Sequence, residues 1–364
     1  MQRREFIAGG LATLCLSRAA FTVAESMVNP QLQVAATSPW LANGIAVSAG
    51  GAMFLNFPRF KGHGKSPALA RVTESGLAPF PGNHWNEWTP GDEGLNSLVN
   101  VNACHHFGDG LLWAVDQGAP QGEQPSKGTA KLVAFNIATG EAASVIRFDE
   151  KALPPGGAPN DLRIQGNSVY VTDSGLGGVI IHDLDTGKTI RRLSGSALLR
   201  KPEGIDQKGY QGRILEDKDG KRPAVHSDVI EVSPDGQWLY FATPTGPLYR
   251  IRTASLKDHR LSDKALEGQI EKVADIPSVG GSAIDAAGNI YLSNVEKRSV
   301  DKLQPDGTLK TLIQDEKLIT PDALVISDGW IYVPAPQIEY LADNNKGKDA
   351  THGPWSVYRF PYST

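Results

Sequence analysis

Val225–Leu256 reads VHSDVIEVSPDGQWLYFATPTGPLYRIRTASL. Asp228 opens a short run, Val229–Ser233, in which Ile230 and Val232 share one face. Pro234-Asp235-Gly236 supplies a turn, because proline presets φ and glycine tolerates φ > 0. Trp238–Ala242 is a second strand, Pro244–Pro247 a second break, and Leu248–Arg252 a third strand. A meander of three short strands cannot bury both faces by itself and needs copies of itself to pack against.

Degenerate copies lie on both sides. Each has a polar residue, a short apolar strand, a turn rich in Gly, Asp or Asn, and a second apolar strand. They start at Asn43, Asn100, Asn160, Asp228, Gly280 and Asp322, spaced by 57, 60, 68, 52 and 42 residues. Repeats of this length with several strands each are the mark of a β-propeller. The expected fold is all-β: one six-bladed β-propeller over residues 31–364. Its ring is closed by a C-terminal strand, Trp355–Phe360, pairing with N-terminal residues near Gln31–Thr37. Ser194–Val225 has little alternation and is expected to cross one mouth as a loop; Leu261–Gln269 is expected to hold a short helix.

Composition narrows the function. The formal charge is −4, and residues 1–24 carry Arg3, Arg4, Arg18 and Glu5, so the chain without them stands at −6. With no basic block, nucleic acid and anionic membranes are poor partners. Two cysteines, Cys15 and Cys104, exclude a disulfide framework once the first is removed. Residues 1–24 have the form of an export leader: Arg3-Arg4, then Phe6-Ile7, an apolar run to Leu16 and small residues at Ala19, Ala20 and Ala24. The arginine pair favours a twin-arginine signal over an ordinary secretory one. The expectation is a periplasmic or secreted monomer without a membrane anchor.

The first strand of each blade lines the channel of a propeller, so residues at one register converge on its axis. Asn43, Asn100, Asn160, Asp228 and Asp322 are placed at that register. Carboxylates and amide oxygens without thiolates suit a hard divalent cation: Ca2+ first, with Mg2+ or Mn2+ as alternatives. Asn160, Asp228 and Asp322 are the expected ligands, and Asn43 and Asn100 the expected lining. Asp116 and Asp173 form a second tier of ligand-binding candidates at the end of the next strand, and Trp85 either floors a ligand pocket or covers the mouth. Asn and Asp also precede strands simply because they satisfy turn backbone. His226, two residues before Asp228, is a candidate proton shuttle and Asp228 a candidate base. His105-His106 matches no zinc spacing. No Gly-Xaa-Ser-Xaa-Gly elbow and no complete Gly-Xaa4-Gly-Lys-Ser/Thr phosphate loop occurs, which argues against a serine hydrolase or an NTPase.

Three segments carry a resemblance. They are Leu111–Gly118, LLWAVDQG; Pro159–Leu162, PNDL, followed by Val169–Ser174, VYVTDS; and Ser233–Phe241, SPDGQWLYF, followed by Leu248–Arg250. In these the chain resembles the bacterial branch of the major royal jelly protein/Yellow family, over about Leu32 to Tyr340. That family is similar to the sugar-lactone lactonases, whose channel ion is held by a Glu, an Asn and an Asp, the Asp serving as base. The resemblance implies Asn160 for the Asn and Asp228 for the Asp. Asn43 stands where the Glu would be, and Gly280-Gly281-Ser282 and Ala335–Glu339 depart from the pattern of relatives. Two functions are therefore expected of the mouth: metal-dependent hydrolysis of a small lactone or ester, or non-catalytic capture of a small molecule. A dopachrome tautomerase-like isomerase is a third, implied by resemblance alone.

Overall fold

The computed structural model describes residues 31–362; the expected leader, residues 1–24, lies outside them. Twenty-four strands form six four-stranded antiparallel sheets. The first strand, β1 (Gln33–Ser38), belongs to the last sheet. Blade one holds β2 (Gly44–Val47), β3 (Met53–Asn56), β4 (Leu69–Thr73) and β5 (Gly76–Pro79). Blade two holds β6 (Val101–His106), β7 (Leu111–Asp116), β8 (Lys131–Asn136) and β9 (Ala142–Arg147). Blade three holds β10 (Pro159–Gln165), β11 (Ser168–Asp173), β12 (Val179–Asp183) and β13 (Thr189–Arg192). Blade four holds β14 (Val229–Val232), β15 (Trp238–Ala242), β16 (Leu248–Arg252) and β17 (Glu271–Ala274). Blade five holds β18 (Val279–Ile284), β19 (Ile290–Asn294), β20 (Ser299–Leu303) and β21 (Leu309–Gln314). In blade six, β22 (Val325–Ser327), β23 (Trp330–Ala335) and β24 (Trp355–Pro361) are completed by β1 on the outer edge.

The expected six-bladed ring and its closure are thus both present. β1 pairs with β24 from Gln33↔Arg359 to Ser38↔Trp355. The last sheet therefore joins the two ends of the chain, and the edge an open sheet would leave is covered. Tyr362 strengthens the closure: its hydroxyl donates to the Asp285 carboxylate of blade five at 2.9 Å.

The local chemistry of the deciding stretch explains its shape. In the turn after β14, Gly236 takes φ 71°, its N–H donates to Ser233 O, and the Ser233 hydroxyl donates to Asp235. Apolar residues on each strand then alternate between neighbouring blades. Leu162, Val169, Val171 and Ile180 of blade three pack on Val115, Leu132 and Ala134 of blade two, and Val229 and Leu248 of blade four on Val279 and Leu292 of blade five. Residues of blades six and one pack together in the same way, through Val357, Tyr332, Ile45 and Leu55, so the apolar seams close the circle. Burying these seams, at about 25 cal/mol per Å² of apolar surface, is the main force holding the ring.

Between β16 and β17 the chain forms two short helices, α1 (Thr253–Lys257) and α2 (Asp263–Glu267), the second inside the stretch where a helix was expected. No helix among the described residues is long and apolar enough to cross a membrane.

Candidate functional site

Each innermost strand (β2, β6, β10, β14, β18, β22) runs away from the same face of the wheel. Residues at the strand starts therefore meet at one mouth. A hydrogen-bonded chain runs around it. Asn43 lies beside the Asp322 carboxylate of blade six, whose charged form it favours, and donates from Nδ2 to Asn102 O of blade two at 3.1 Å. Asn102 Nδ2 donates to Asn160 O of blade three at 3.1 Å, and Asn160 Nδ2 donates to Asp228 Oδ2 of blade four at 3.3 Å. Five blades thus contribute to one tier.

Blade five contributes backbone instead. A Cβ on Gly280 would lie 2.3 Å from Pro321 O, and one on Gly281 would lie 2.9 Å from Ala323 Cα. The entry to blade six occupies the space a side chain would need, which is why the polar register breaks there. β-Bulges precede or interrupt the pairing of β6, β10 and β18 with their neighbours, at Val101/Ala103, Pro159/Leu162 and Val279/Ser282. Such bulges re-aim side chains; in β10 the bulge spans Asn160 and Asp161.

The electrostatics single out two carboxyls. Burial first, then the negative charge of Asp161, pushes Asp228 up to about 7 against the opposing hydrogen bond from Asn160. Burial, then Asp228 and Asp161, holds Asp322 well above the ordinary carboxylate range. Both side chains keep some contact with water in the channel while protein surrounds them otherwise. Asp161 behaves oppositely. Burial raises it, but Arg163 and His105 outweigh burial and hold it far below the usual range. Among the described residues no three His, Cys, Asp or Glu side chains form a metal-binding group; the candidate set is two carboxylates plus amide oxygens.

Of the expected site residues, the structure brings together Asn43, Asn160, Asp228 and Asp322. Asn100 is corrected to Asn102. Asn100 is 1% exposed; its Oδ1 accepts from Arg59 N–H and its Nδ2 donates to Gln117 Oε1 and Ala119 O. The bulge after Val101 hands the channel position to the next asparagine. Asp116 and Asp173 are corrected as well. Both are fully buried anchors that accept backbone N–H groups of the adjoining loops and pair with Lys131 and Arg191, each at 2.7 Å. Neither carboxylate is free for a ligand.

Trp85 neither floors nor covers a pocket: it is 7% exposed and packs edge-on against Phe135 in the seam between blades one and two. His226 faces the crossover, its Nδ1 accepting from Lys201 N–H at 3.0 Å, and burial, then Arg200, lowers its pKa. The crossover 194–225 reaches over to the far blades as expected. Gln211 N–H donates to Glu296 O of blade five, and Tyr210 N–H and Arg213 bond the buried Glu339 of blade six. A separate cavity of about 290 Å³ lies beside blade six, lined among others by Glu316, Gln337, His352 and Tyr358, and shares no residue with the tier.

Sequence reasoning missed the charged group deeper in the channel: His105, Asp161, Arg163, Glu231 and Ser282. Glu231 inside the four-residue strand VIEV was the available signal, since a carboxylate there has to find a partner.

No curated protein matches the chain by sequence. Solved structures share its fold across nearly their whole lengths. A gluconolactonase from Xanthomonas campestris superposes with a TM-score of 0.55 at 15% identity, covering 93% of this chain and 91% of that one. A luciferin-regenerating enzyme gives 0.54 at 8% identity, covering 91% and 95%. A calcium-binding protein, regucalcin, from Agrobacterium tumefaciens gives 0.50 at 13%, covering 91% and 96%. At these identities the likeness is one of fold. Sequence speaks more specifically over blades two to six, where the family model described as Major royal jelly protein matches residues 101–350, and the chain accordingly belongs to the major royal jelly protein family.

Proposed function

We propose that this chain is an exported, monomeric, cation-dependent hydrolase of a small lactone or related ester, working at the channel mouth. The observation that carries the reading is the meeting of Asn160, Asp228 and Asp322 from three blades in one hydrogen-bonded tier. Asn160 spends its amide N–H on Asp228, which leaves its oxygen without a protein donor among the described residues. Two carboxylates, the Asp228 charge helping to raise Asp322, plus that amide oxygen, form a hard donor set suited to Ca2+, with Mg2+ or Mn2+ compatible. A bound cation supplies Lewis-acid polarisation of a carbonyl and acidifies a bound water.

The chain's own groups do the rest. Without a cation, burial and Asp161 raise Asp228 to about 7; beside a bound cation it would be drawn down and stay a carboxylate able to accept a proton from water. His226, with Nδ1 held by Lys201 N–H, keeps its proton on Nε2 and offers it toward a leaving oxygen. The gluconolactonase and the calcium-binding regucalcin among the similar folds support this reading. The test is calorimetry and hydrolysis on the purified mature chain. Ca2+ or Mn2+ raises Tm, and Asp228→Ala abolishes both that shift and lactone hydrolysis. Finding no bound metal by elemental analysis and no metal-induced shift would sink the proposal.

A second reading is favoured by Asn43. Its amide is committed to Asn56, Asn102 and Asp322, so the first blade offers no ligand of its own. On that reading the mouth captures a small molecule without turning it over, and calorimetric binding without product distinguishes it. Proton transfer without hydrolysis, as in a dopachrome tautomerase-like isomerase, is the third outcome of the same assay.

A further inference from the structure

Three residues below the mouth tier, the innermost strands carry a second one. Asn102 is followed by His105, Asn160 by Arg163 and Asp228 by Glu231, and past the bulge in blade five Gly280 is followed by Ser282. At about 3.3 Å per residue this level lies ~10 Å deeper. Arg163 is its centre. Nε donates to Glu231 Oε2 at 2.9 Å, and Nη2 to Glu231 Oε1 at 2.7 Å and Ser282 O at 3.4 Å. Nη1 donates to Asp161 Oδ2 at 2.8 Å and Leu162 O at 2.7 Å. His105 Nε2 meets Asp161 Oδ1 at 2.6 Å, and the Ser282 hydroxyl donates to Glu231 Oε1 at 2.7 Å. With the 3.2 Å contact of Nη1 with His105 Nε2 of blade two, one guanidinium therefore ties four blades, including three and five, which are not neighbours.

Two properties of this level matter. A guanidinium has five N–H donors, and all five are taken by protein acceptors, so Arg163 has none left for a ligand. The residues that would line an open pore here are buried: Arg163 is 9% exposed, His105 8%, Ser282 4% and Glu231 1%. Asp161 is the member most open to water, with 20% of its side chain exposed.

We propose that Arg163 closes the channel beneath the mouth. The pocket is then a blind vestibule entered only from the face crossed by residues 194–225. Its floor accepts hydrogen bonds but donates none. Asp161 and Glu231 present acceptor oxygens there beside one spent guanidinium and a His105 ring already bonded to Asp161, so the ligand end that reaches the floor is neutral or cationic and carries hydroxyl or N–H groups. A carboxylate or phosphate end is turned away. This inference concerns access and does not depend on metal binding or hydrolysis.

Cysteine accessibility tests it on the mature chain, where Cys104 is the one native thiol and is 2% exposed. Ser282→Cys places a thiol on the floor, Asn102→Cys one in the vestibule wall, and Glu74→Cys one on the open surface. With Arg163 present, the floor thiol reacts with a small methanethiosulfonate ~100-fold more slowly than the surface thiol, as a site reached only by local opening does. Arg163→Ala in that background raises the floor rate at least tenfold while Cys104 stays protected. Arg163→Leu paired with Glu231→Leu gives the same rise without a stranded charge, should the single variant not fold. At the wall thiol, a cationic reagent is preferred over an anionic one several-fold more than at the surface thiol. Surface-like reaction of the floor thiol with Arg163 in place, protection unchanged by either variant, or no charge preference at the wall would each overturn the proposal.

Discussion

Replacing Asp228 with Asn in the cation-free protein isolates the electrostatics of the mouth. Asp228 is raised from 3.8 to about 7 by burial and by Asp161. The native state therefore holds a proton that the unfolded chain has already released between these values. Stability from this group is fully present below pH 3.8 and drains away as pH rises through about 7. A rise of roughly three units corresponds to about 4 kcal/mol at most, shared with Asp322, which is disfavoured by the same charges. In a domain of this size 1 kcal/mol moves Tm by ~1.5 °C, so the wild-type chain should lose ~6 °C from this source between pH 4 and pH 8. Asn mimics the protonated acid at every pH. Asp228→Asn should match the wild type at pH 4 and melt up to ~6 °C higher at pH 8 in chelator. Saturating Ca2+ at about 100 times its Kd would return ~2.7 kcal/mol to the wild type and nothing to the variant. Calorimetry at four pH values with and without chelator reads all of this. Parallel Tm–pH curves for the two proteins would refute the reasoning.

Other perturbations test the scaffold beneath the site. Lys131→Met leaves Asp116 charged and fully buried without its 2.7 Å partner, and chemical denaturation should show a loss of ~3–5 kcal/mol. Gly280→Ala forces a methyl against Pro321 O at 2.3 Å. Overpacking of this kind costs ~1–3 kcal/mol, and because Asp322 moves with that backbone, any cation-induced rise in Tm should shrink as well. Removing Pro354–Thr364 deletes β24, leaves β1 without a partner and one edge of β23 open, and breaks the Tyr362–Asp285 bond. The shortened chain should lose its cooperative transition or associate through the exposed edges, which light scattering and calorimetry would reveal.

The wheel was legible because its turns are. Pro234-Asp235-Gly236 and its counterparts break the chain at intervals that only short strands fill. The apolar residues between them alternate as a sheet buried on both faces requires. Trp355–Phe360 announced the closing strand. Asn43, Asn160, Asp228 and Asp322 were also readable, since each begins an innermost strand. What failed was anything decided by packing across blades. Asn100 and Asn102 differ only through a bulge that a linear pattern does not display. Asp116 and Asp173 looked like free carboxylates because Lys131 and Arg191, their partners, lie 15 and 18 residues away in sequence on other strands. Trp85 stands in an irregular stretch, yet its ring enters a seam. Arg163 was passed over because a charge in an alternating strand reads as facing solvent, when here it meets partners on three other blades and closes the channel.

Residues from blades three, four and six must act as one site. A crystal grown with Mn2+ and measured for anomalous scattering examines this directly. The expected result is one strong peak at the channel mouth, bonded by oxygens of Asn160, Asp228 and Asp322 at about 2.2 Å and lost in Asp228→Ala. A peak elsewhere, or none at saturating metal, would contradict it.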